Sequence, residues 1–447
     1  MTTARTVPPW TPPVTQGTAR RAREVALAVA AALRDRAGPA LPVPTPPEGG
    51  SGTGGSADDA WRPSSLASGY PGLALLAAYL DECRPGDGWA RTGHLALTAS
   101  VRDEAELTRL GPSLYTGWGG LAVAATALAR SRPRYGAFLA SADSALSASA
   151  AALVHEVSTN DPPFRPPLID LITGLAGVTV ALLARRGTPA VDAVLPEALA
   201  ALATLAEPDA SNGGHPRLVA PPQWGALRLD GGHPLLNLGL AHGLPGVLAT
   251  LSLALSDGAG GDAEAAAVAT LAQWLRRYRR IDRWGPVWPN GVSVDPTASM
   301  PPPGRMAWCY GTAGCTRALW LAGRALDREQ WRDEAVDAIR GALRRPPSER
   351  GLSSPTFCHG QAGLLHIALR FAGDTGDDEI CAAIDAEVVR LIDAYEPTSA
   401  YGYQRVESGA VPSDSAGLLD GAAGVALVLL AASGDQPPTW DRIFLVA

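Results

Sequence analysis

The sequence predicts an all-α chain, an α/α toroid in which seven inner helices are surrounded by seven outer ones, with small β-hairpin insertions. Three observations lead there. A Gly-x-x-Gly turn followed by ten or so apolar residues occurs seven times, about 50 to 70 residues apart, which marks a repeat architecture. Segments with charge on one face lie between the copies. Neither terminal copy is polar, as the end repeats of an open solenoid must be, so a closed ring is preferred.

The elements follow in chain order. MTTARTVPPWTPPVTQG is polar and proline-rich, a first helix is expected near Ala19 to Arg36, and Ala37 to Asp59, rich in Gly, Pro and Ser, reads as a flexible linker. Residues 1–60 are therefore read as helix plus linker, and 61–447 as a single seven-repeat domain. The turns then appear as SGYPGLALLAAYL from Ser68, TGWGGLAVAATAL from Thr116, TGLAGVTVALLA from Thr173 and HGLPGVLATLSLAL from His242. YGTAGCTRALWLA from Tyr310, HGQAGLLHIALRFA from His359 and DGAAGVALVLLAA from Asp420 complete the set.

The segments after the glycines are apolar nearly all round, and a helix of that kind is buried on every side. DREQWRDEAVDAIRGALRR (Asp327 to Arg345) and DDEICAAIDAEVVRLIDAY (Asp377 to Tyr395) are amphipathic and suit the outer layer. Glycine suits the turn because it accepts positive φ and lets backbones approach closely. Two stretches break the pattern. Glu207 to Pro234 reads as a hairpin or long loop, and WGPVWPNGVSVDP from Trp284 carries an Asn-Gly signal that predicts a second hairpin.

Bulk properties narrow the function. A chain of 447 residues, 46% hydrophobic, can bury about three quarters of its unfolded surface. Net charge is −7 without a long block of either sign, and all 37 basic side chains are arginine. An acidic balance argues against a nucleic-acid groove, which needs a basic footprint. The N-terminus lacks a basic segment followed by an apolar core, so no secretory signal is expected. No apolar run approaches the roughly 20 residues of a membrane span. Cys83, Cys309, Cys315, Cys358 and Cys381 form no even framework, which favours reduced thiols or a metal over disulfides. A soluble, cytoplasmic protein is expected.

In a toroid the turns share one mouth, and the residues just before them point at a common cavity. Those residues are Asp170 in repeat three, His242 in repeat four, Arg305, Trp308, Cys309 and Tyr310 in repeat five, Cys358 and His359 in repeat six, and Asp420 in repeat seven. Cys309 and Cys358 each stand two residues before their Gly-x-x-Gly. Matched positions on adjacent repeats bring both sulfurs together, with His359 beside them. Two thiolates and an imidazole suit Zn²⁺, and three protein ligands with an open position is the arrangement of a catalytic zinc. Plainer roles exist for the others. Asp170 suits a helix cap, His242 a hydrogen-bonded helix start, Arg305 a surface loop and Asp420 a cap or ring contact. Cys83, Cys315 and Cys381 read as small buried hydrophobes; His94, His155, His215, His233 and His366 read as structural or surface residues.

In NLGLAHGLPG (Asn237 to Gly246), AWCYGTAG (Ala307 to Gly314) and CHGQAG (Cys358 to Gly363) the chain resembles the LanC family of lanthipeptide cyclases, in its stand-alone class I form, and the likeness runs through all seven repeats. The resemblance implies one zinc per chain near the mouth of the toroid, held by Cys309, Cys358 and His359. It makes His242 the catalytic histidine, Asp170 its associated aspartate, and Arg305 and Tyr310 the arginine and tyrosine of the active site. The implied reaction adds a peptide cysteine thiol to dehydroalanine or dehydrobutyrine and closes a (methyl)lanthionine thioether ring. The implied partners are a dehydrated, leader-bearing precursor peptide and a separate dehydratase, since the seven repeats leave no room for an appended one. The proline-rich N-terminus and the Glu207 to Pro234 loop depart from the family's pattern. A non-catalytic relative that binds thiols such as glutathione would have an identical zinc site, and a peptide-binding scaffold is the reading for a chain that holds no zinc. A toroidal glycosidase would need paired carboxylates, and a terpene cyclase an aspartate-rich box, where these turns carry cysteines.

Overall fold

The computed structural model describes residues 9–36, 61–131, 134–224, 227–228, 232–407 and 409–447. The expected linker, Ala37 to Asp59, lies outside the described residues.

Inner and outer helices alternate along the chain. Helix α1 (Gln16–Arg36) is followed by α2 (Tyr70–Cys83), α3 (Trp89–Ser100), the short α4 (Glu104–Leu107), α5 (Trp118–Ser131), α6 (Gly136–Thr159) and the short α7 (Pro166–Ile169). Then come α8 (Leu175–Ala184), α9 (Pro189–Thr204), α10 (Leu244–Ser256), α11 (Asp262–Arg277) and α12 (Thr312–Ala325). The chain continues through α13 (Glu329–Arg344), α14 (Gln361–Thr375), α15 (Asp378–Asp393) and α16 (Ala422–Ser433). Helices α2, α5, α8, α10, α12, α14 and α16 start at the seven glycine turns. Every residue of α16 is buried, and all but the last of α8, as helices without a polar face require. Neighbours in this set pack pairwise, and α16 packs on α2, so the ring is closed as expected.

The outer helices show why they are outer. In α13 the buried residues Trp331, Ala335, Ala338, Ile339 and Ala342 recur at helical spacing and leave the other face charged. In α11, Asp262 and Glu264 occupy the first turn and Arg276 and Arg277 the last, each complementing the helix dipole. Asp377 caps α15 by accepting the Ile380 N–H at 3.0 Å. Helix α1 packs on α16 and α15 in the same outer layer. Arginine pairs link successive outer helices: Arg276 with Glu334, Arg344 with Glu379, and Arg21 with Asp393. The last two of these pairs are exposed and contribute ~0–1 kcal/mol each, so the closed core carries most of the stability. Helix α6 is long and apolar enough by length and composition to cross a membrane, although it holds no continuous apolar run of that length. Its hydropathy comes from alanines scattered among serines rather than from an unbroken aliphatic run. It packs on α9 and α5, and its Asp143 pairs with Arg185 at 2.7 Å.

The glycine turns work mainly by close approach. The second glycine of each turn passes the carbonyl six residues earlier. A Cβ on Gly177 would fall 1.9 Å from Leu171 O, and one on Gly363 2.1 Å from Phe357 O. Positive φ, expected generally, is found among the turn glycines only at Gly311 (118°); the first glycines of the other turns that cap an inner helix are extended, as at Gly243 (φ −144°, ψ −160°).

Backbone hydrogen bonds between the turns run right round the mouth. Leu66 N–H donates to Tyr115 O (2.8 Å), Tyr115 to Ile172 (3.2 Å), Leu171 to Ala241 (3.1 Å) and Ala241 to Cys309 (3.2 Å). Cys309 donates to Cys358 (3.0 Å), Cys358 to Leu419 (2.9 Å), and Leu418 to Ala67 (2.7 Å), which closes the circle. Below it the bore is filled by residues 440–446. Phe444 lies 3.9 Å from the Phe357 ring centroid and 5.5 Å from that of Trp308. Tyr115 OH donates to Ile443 O at 2.9 Å and Trp308 Nε1 to Phe444 O at 2.8 Å. His366 and Arg370 hold the buried Asp441 at 2.6 and 2.5 Å.

Five small two-stranded ladders decorate the ring. Strands β1 (Pro208–Asp209) and β2 (His215–Pro216), and β3 (Gln223–Trp224) and β4 (Leu227–Arg228), form hairpins within the expected loop region. Strand β5 (Leu235–Asn237) follows, then β6 (Arg280–Ile281), β7 (Pro286–Val287) and β8 (Gly291–Ser293). The Asn290-Gly291 signal does not turn a hairpin. The hairpin lies one turn earlier, β6 with β7 around Asp282 to Gly285, and β8 pairs instead with β5, Asn237 opposite Gly291. A tertiary partner outweighed the local turn signal. Strands β9 (Gln404–Arg405) and β10 (Ser413–Asp414) form the last hairpin, between α15 and α16.

Candidate active site and metal centre

The hydrogen bond from Cys309 to Cys358 fixes repeats five and six side by side at their turns. The ligand atoms of Cys309, Cys358 and His359 all lie within 4.8 Å of one another. A tetrahedral zinc, with bonds of about 2.0–2.3 Å, gathers such atoms to roughly 3.5–3.8 Å separation, so the donor set fits that ion in type and spacing. The surroundings fit it too. Asp420 Oδ1 is buried beside the cluster, 3.3 Å from His359 Nδ1 but without a hydrogen bond, a negative atom that a cation would satisfy.

The electrostatics favour a charged sulfur. The Cys358 thiol, donating to Cys309, holds the Cys309 thiol well below its usual range against the effect of burial, and His359 and Arg305 help. Cys358 moves the other way, because it is the donor to a neighbouring anion and is buried. Burial would lower His359, but its hydrogen bond with Cys309 and the charges of Asp420 and Glu407 raise it to about 9. Burial pushes Asp420 up to about 6.

On the adjoining repeats, His242 Nδ1 stands 2.6 Å from Asp170 Oδ2. A carboxylate only accepts, so the proton sits on Nδ1. Asp170 is 2% exposed, and its other oxygen accepts the N–H groups of Thr173 (2.8 Å) and Gly174 (2.9 Å) at the start of α8. Asp170 is therefore no cap of α8, whose N-cap is Gly174 without a side-chain cap; one oxygen fixes the turn before that helix and the other meets His242. The His242 and Tyr310 rings lie 6.0 Å apart at 32°. Tyr310 OH accepts from Asn237 Nδ2 at 3.0 Å, and Gly239 makes room for its ring, since a Cβ there would fall 2.5 Å from Tyr310 Cδ1. Burial raises the Tyr310 phenol well above its ordinary range. Arg305 is exposed beside the cluster, and its charge favours the ionised form of both Cys309 and Cys358.

Of the nine residues that the sequence placed at the mouth, eight gather there; Trp308 is buried instead, with its indole N–H donating to Phe444 O. Of the residues assigned structural roles, Cys315 is fully buried, donating to Leu238 O at 3.2 Å, and His366 serves the bore; Cys83 and Cys381, expected to be buried, are only partly so. Sequence reasoning missed three partners. Asn237 lies inside a quoted motif, which was its signal. Glu407 accepts from His359 Nε2 at 2.5 Å and from Arg405 Nε at 3.0 Å. No turn motif marks either Arg405 or Glu407.

Comparison with known proteins agrees with this geometry. A family model described as lanthionine synthetase C-like protein matches residues 60–445. The nisin biosynthesis protein NisC of Lactococcus lactis subsp. lactis is 27% identical over 187 residues, 39% of this chain and 43% of that protein. The chain therefore spans less than half the length of this curated relative. A solved structure of nisin cyclase superposes with a TM-score of 0.72 at 23% identity, over 86% of this chain and 92% of that one. At that identity the likeness speaks for the α/α toroid fold.

Proposed function

Because the chain belongs to the lanthionine synthetase C-like family, we propose that it is a lanthipeptide cyclase acting on a dehydrated precursor peptide. The reaction adds a cysteine S–H across the Cα=Cβ bond of dehydroalanine or dehydrobutyrine: sulfur bonds to the β-carbon and a proton ends on the α-carbon. The observation that carries this reading is the pairing, at one mouth, of a Cys₂His donor set with a buried Asp–His dyad. A protein that only bound thiols would have no use for the dyad.

Cys309, Cys358 and His359 would hold one zinc per chain. Bound there, zinc supplies the Lewis acidity that keeps a substrate thiol, with an ordinary pKa of about 8.5, ionised at neutral pH. The remaining work falls to the chain. His242 has Nδ1 committed to Asp170, so Nε2 exchanges the proton that the thiol loses and the α-carbon gains. Asp170 orients that ring and fixes its tautomer. The Arg305 guanidinium and the Tyr310 hydroxyl stabilise the enolate oxygen that develops on the peptide carbonyl. A separate dehydratase would supply the substrate, and a cytoplasmic setting would keep the cysteines reduced.

The test compares wild type, His242→Ala and Cys358→Ala on a dehydrated peptide, counting free thiols by alkylation and mass spectrometry, with metal content measured in parallel. Ring closure with about one zinc per chain is expected of the wild type, zinc without ring closure of His242→Ala, and loss of both from Cys358→Ala. A fully active His242→Ala would remove that residue from the mechanism, and a zinc-bearing wild type that only binds thiols would replace the cyclase reading.

A further inference from the structure

Two groups at the metal centre come from outside the seven turns. Arg405 ends β9 and Glu407 follows two residues later, in the connection from α15 to α16. That connection is folded back onto repeat six. Arg405 pairs with Ser413 across the hairpin. Val406 N–H donates to Ser354 Oγ at 3.3 Å, and Ser353 Oγ donates to Val406 O at 3.4 Å. Ser354 is fully buried and leads directly into Thr356, Phe357 and Cys358. The backbone that carries Glu407 is therefore tied to the backbone that carries the sulfur and imidazole donors, and its carboxylate reaches His359 from a fixed point.

One oxygen does the holding. Glu407 Oε1 lies 2.5 Å from His359 Nε2 and 3.0 Å from Arg405 Nε. A guanidinium is a permanent cation with a rigid fork of donors, so Arg405 both orients the carboxylate and keeps its oxygen an acceptor. An acceptor on Nε2 requires the proton to sit on Nε2. That decides the tautomer: Nδ1 is then the nitrogen with a lone pair to offer. Nε2 is taken by Glu407, and the donor atoms of His359, Cys309 and Cys358 lie within 4.8 Å of one another, so Nδ1 is the nitrogen left to join the two sulfurs.

We infer that Glu407, itself oriented by Arg405, is the positioning residue of His359: it holds Nε2–H so that Nδ1 is presented to the same point as the two sulfurs. The inference rests on reading Cys309, Cys358 and His359 as zinc donors. It extends the site beyond the repeats, since a hairpin that belongs to no turn then governs the geometry of one ligand. Imidazole ligands of metals commonly depend on such a carboxylate or carbonyl partner, and its loss weakens metal binding about 10–100-fold.

The experiment measures zinc affinity of the full chain by competition with a chromophoric chelator, for wild type, Glu407→Leu and Glu407→Gln, with the thermal transition of each metal-free protein alongside. Leucine fills the space but offers no acceptor; glutamine keeps an oxygen acceptor without the charge. The expected result is a zinc dissociation constant raised about 10–100-fold in Glu407→Leu, with Glu407→Gln between it and wild type and metal-free transitions that coincide. Zinc binding by Glu407→Leu within about twofold of wild type would overturn the inference and leave the zinc reading intact. So would a Glu407→Gln as weak as Glu407→Leu, because the acceptor oxygen would then be irrelevant. A wild type that binds no zinc would overturn the zinc reading itself, and this inference with it.

Discussion

Replacing Asp170 by asparagine separates two jobs that one side chain performs. Its Oδ1 accepts the N–H groups of Thr173 and Gly174 at the start of α8, and its Oδ2 accepts from His242 Nδ1. In Asp170→Asn the amide oxygen can keep the first job, so the turn before α8 survives and stability falls by no more than about 1 kcal/mol. The amide nitrogen then faces His242. It can only donate, so Nδ1 must become the acceptor and the proton moves to Nε2, the nitrogen that would exchange it with substrate. A comparable tautomer reversal in a buried Asp–His pair elsewhere costs about 10⁴ in kcat, or ~5.5 kcal/mol of transition-state stabilisation. A loss on the order of 10³–10⁴ in ring-closure rate is expected here, with zinc content and thermal transition close to wild type. Asp170→Ala leaves those two turn N–H groups without their acceptor, at about 1–3 kcal/mol, so its thermal transition should fall below that of Asp170→Asn. The assay is the rate of thiol loss in a dehydrated peptide, followed by alkylation and mass spectrometry. An Asp170→Asn variant within tenfold of wild type would refute the tautomer argument. One as unstable as Asp170→Ala would show that the carboxylate charge, not the acceptor, secures α8.

The bore yields two more predictions. Phe444→Ala removes a fully buried ring packed among Phe357, Trp308 and Tyr115 and should cost about 3–5 kcal/mol in chemical denaturation; a loss under about 1 kcal/mol would mean that the plug is not part of the cooperative core. Asp441 is buried, which would raise its pKa, but Arg370 and His366 lower it to about 2. That lies below the unfolded value of about 3.9, so its contribution, roughly 2–3 kcal/mol, is complete above about pH 4 and is lost as pH falls toward 2. Asp441→Asn should flatten the fall in stability across that window and lower stability at neutral pH, because Arg370 loses its counter-charge; an unchanged acid profile measured by denaturant titration would contradict the assignment.

Most of the site was legible because the repeat gives each residue an address. Cys309 and Cys358 occupy one position in adjacent turns, and the hydrogen bond between their backbones follows from that equivalence. Asp170 and His242 are matched less closely, yet they too meet across neighbouring turns. Where no repeat supplies an address, the reading stopped. Glu407 and His359 are 48 residues apart and share no motif. Trp308 was placed at the mouth, and its indole N–H instead donates inward to Phe444 O, 136 residues away. The Asn290-Gly291 pair carries a hairpin signal at two-residue range, and β5 overrode it from more than 50 residues away.

The sequence by itself determined the seven turns, the layer each helix enters and the Cys₂His donor set. These depend on physics that acts within a turn or two of the chain: a glycine that passes a carbonyl six residues back, an apolar run that tolerates no solvent, and thiols at fixed offsets from both. Only the tertiary structure decided that residues 440–446 fill the bore and that the β9–β10 hairpin holds the imidazole of His359. Those contacts join segments tens to hundreds of residues apart. Such pairings are set by which surfaces remain unburied once the local elements exist, and no local pattern encodes them.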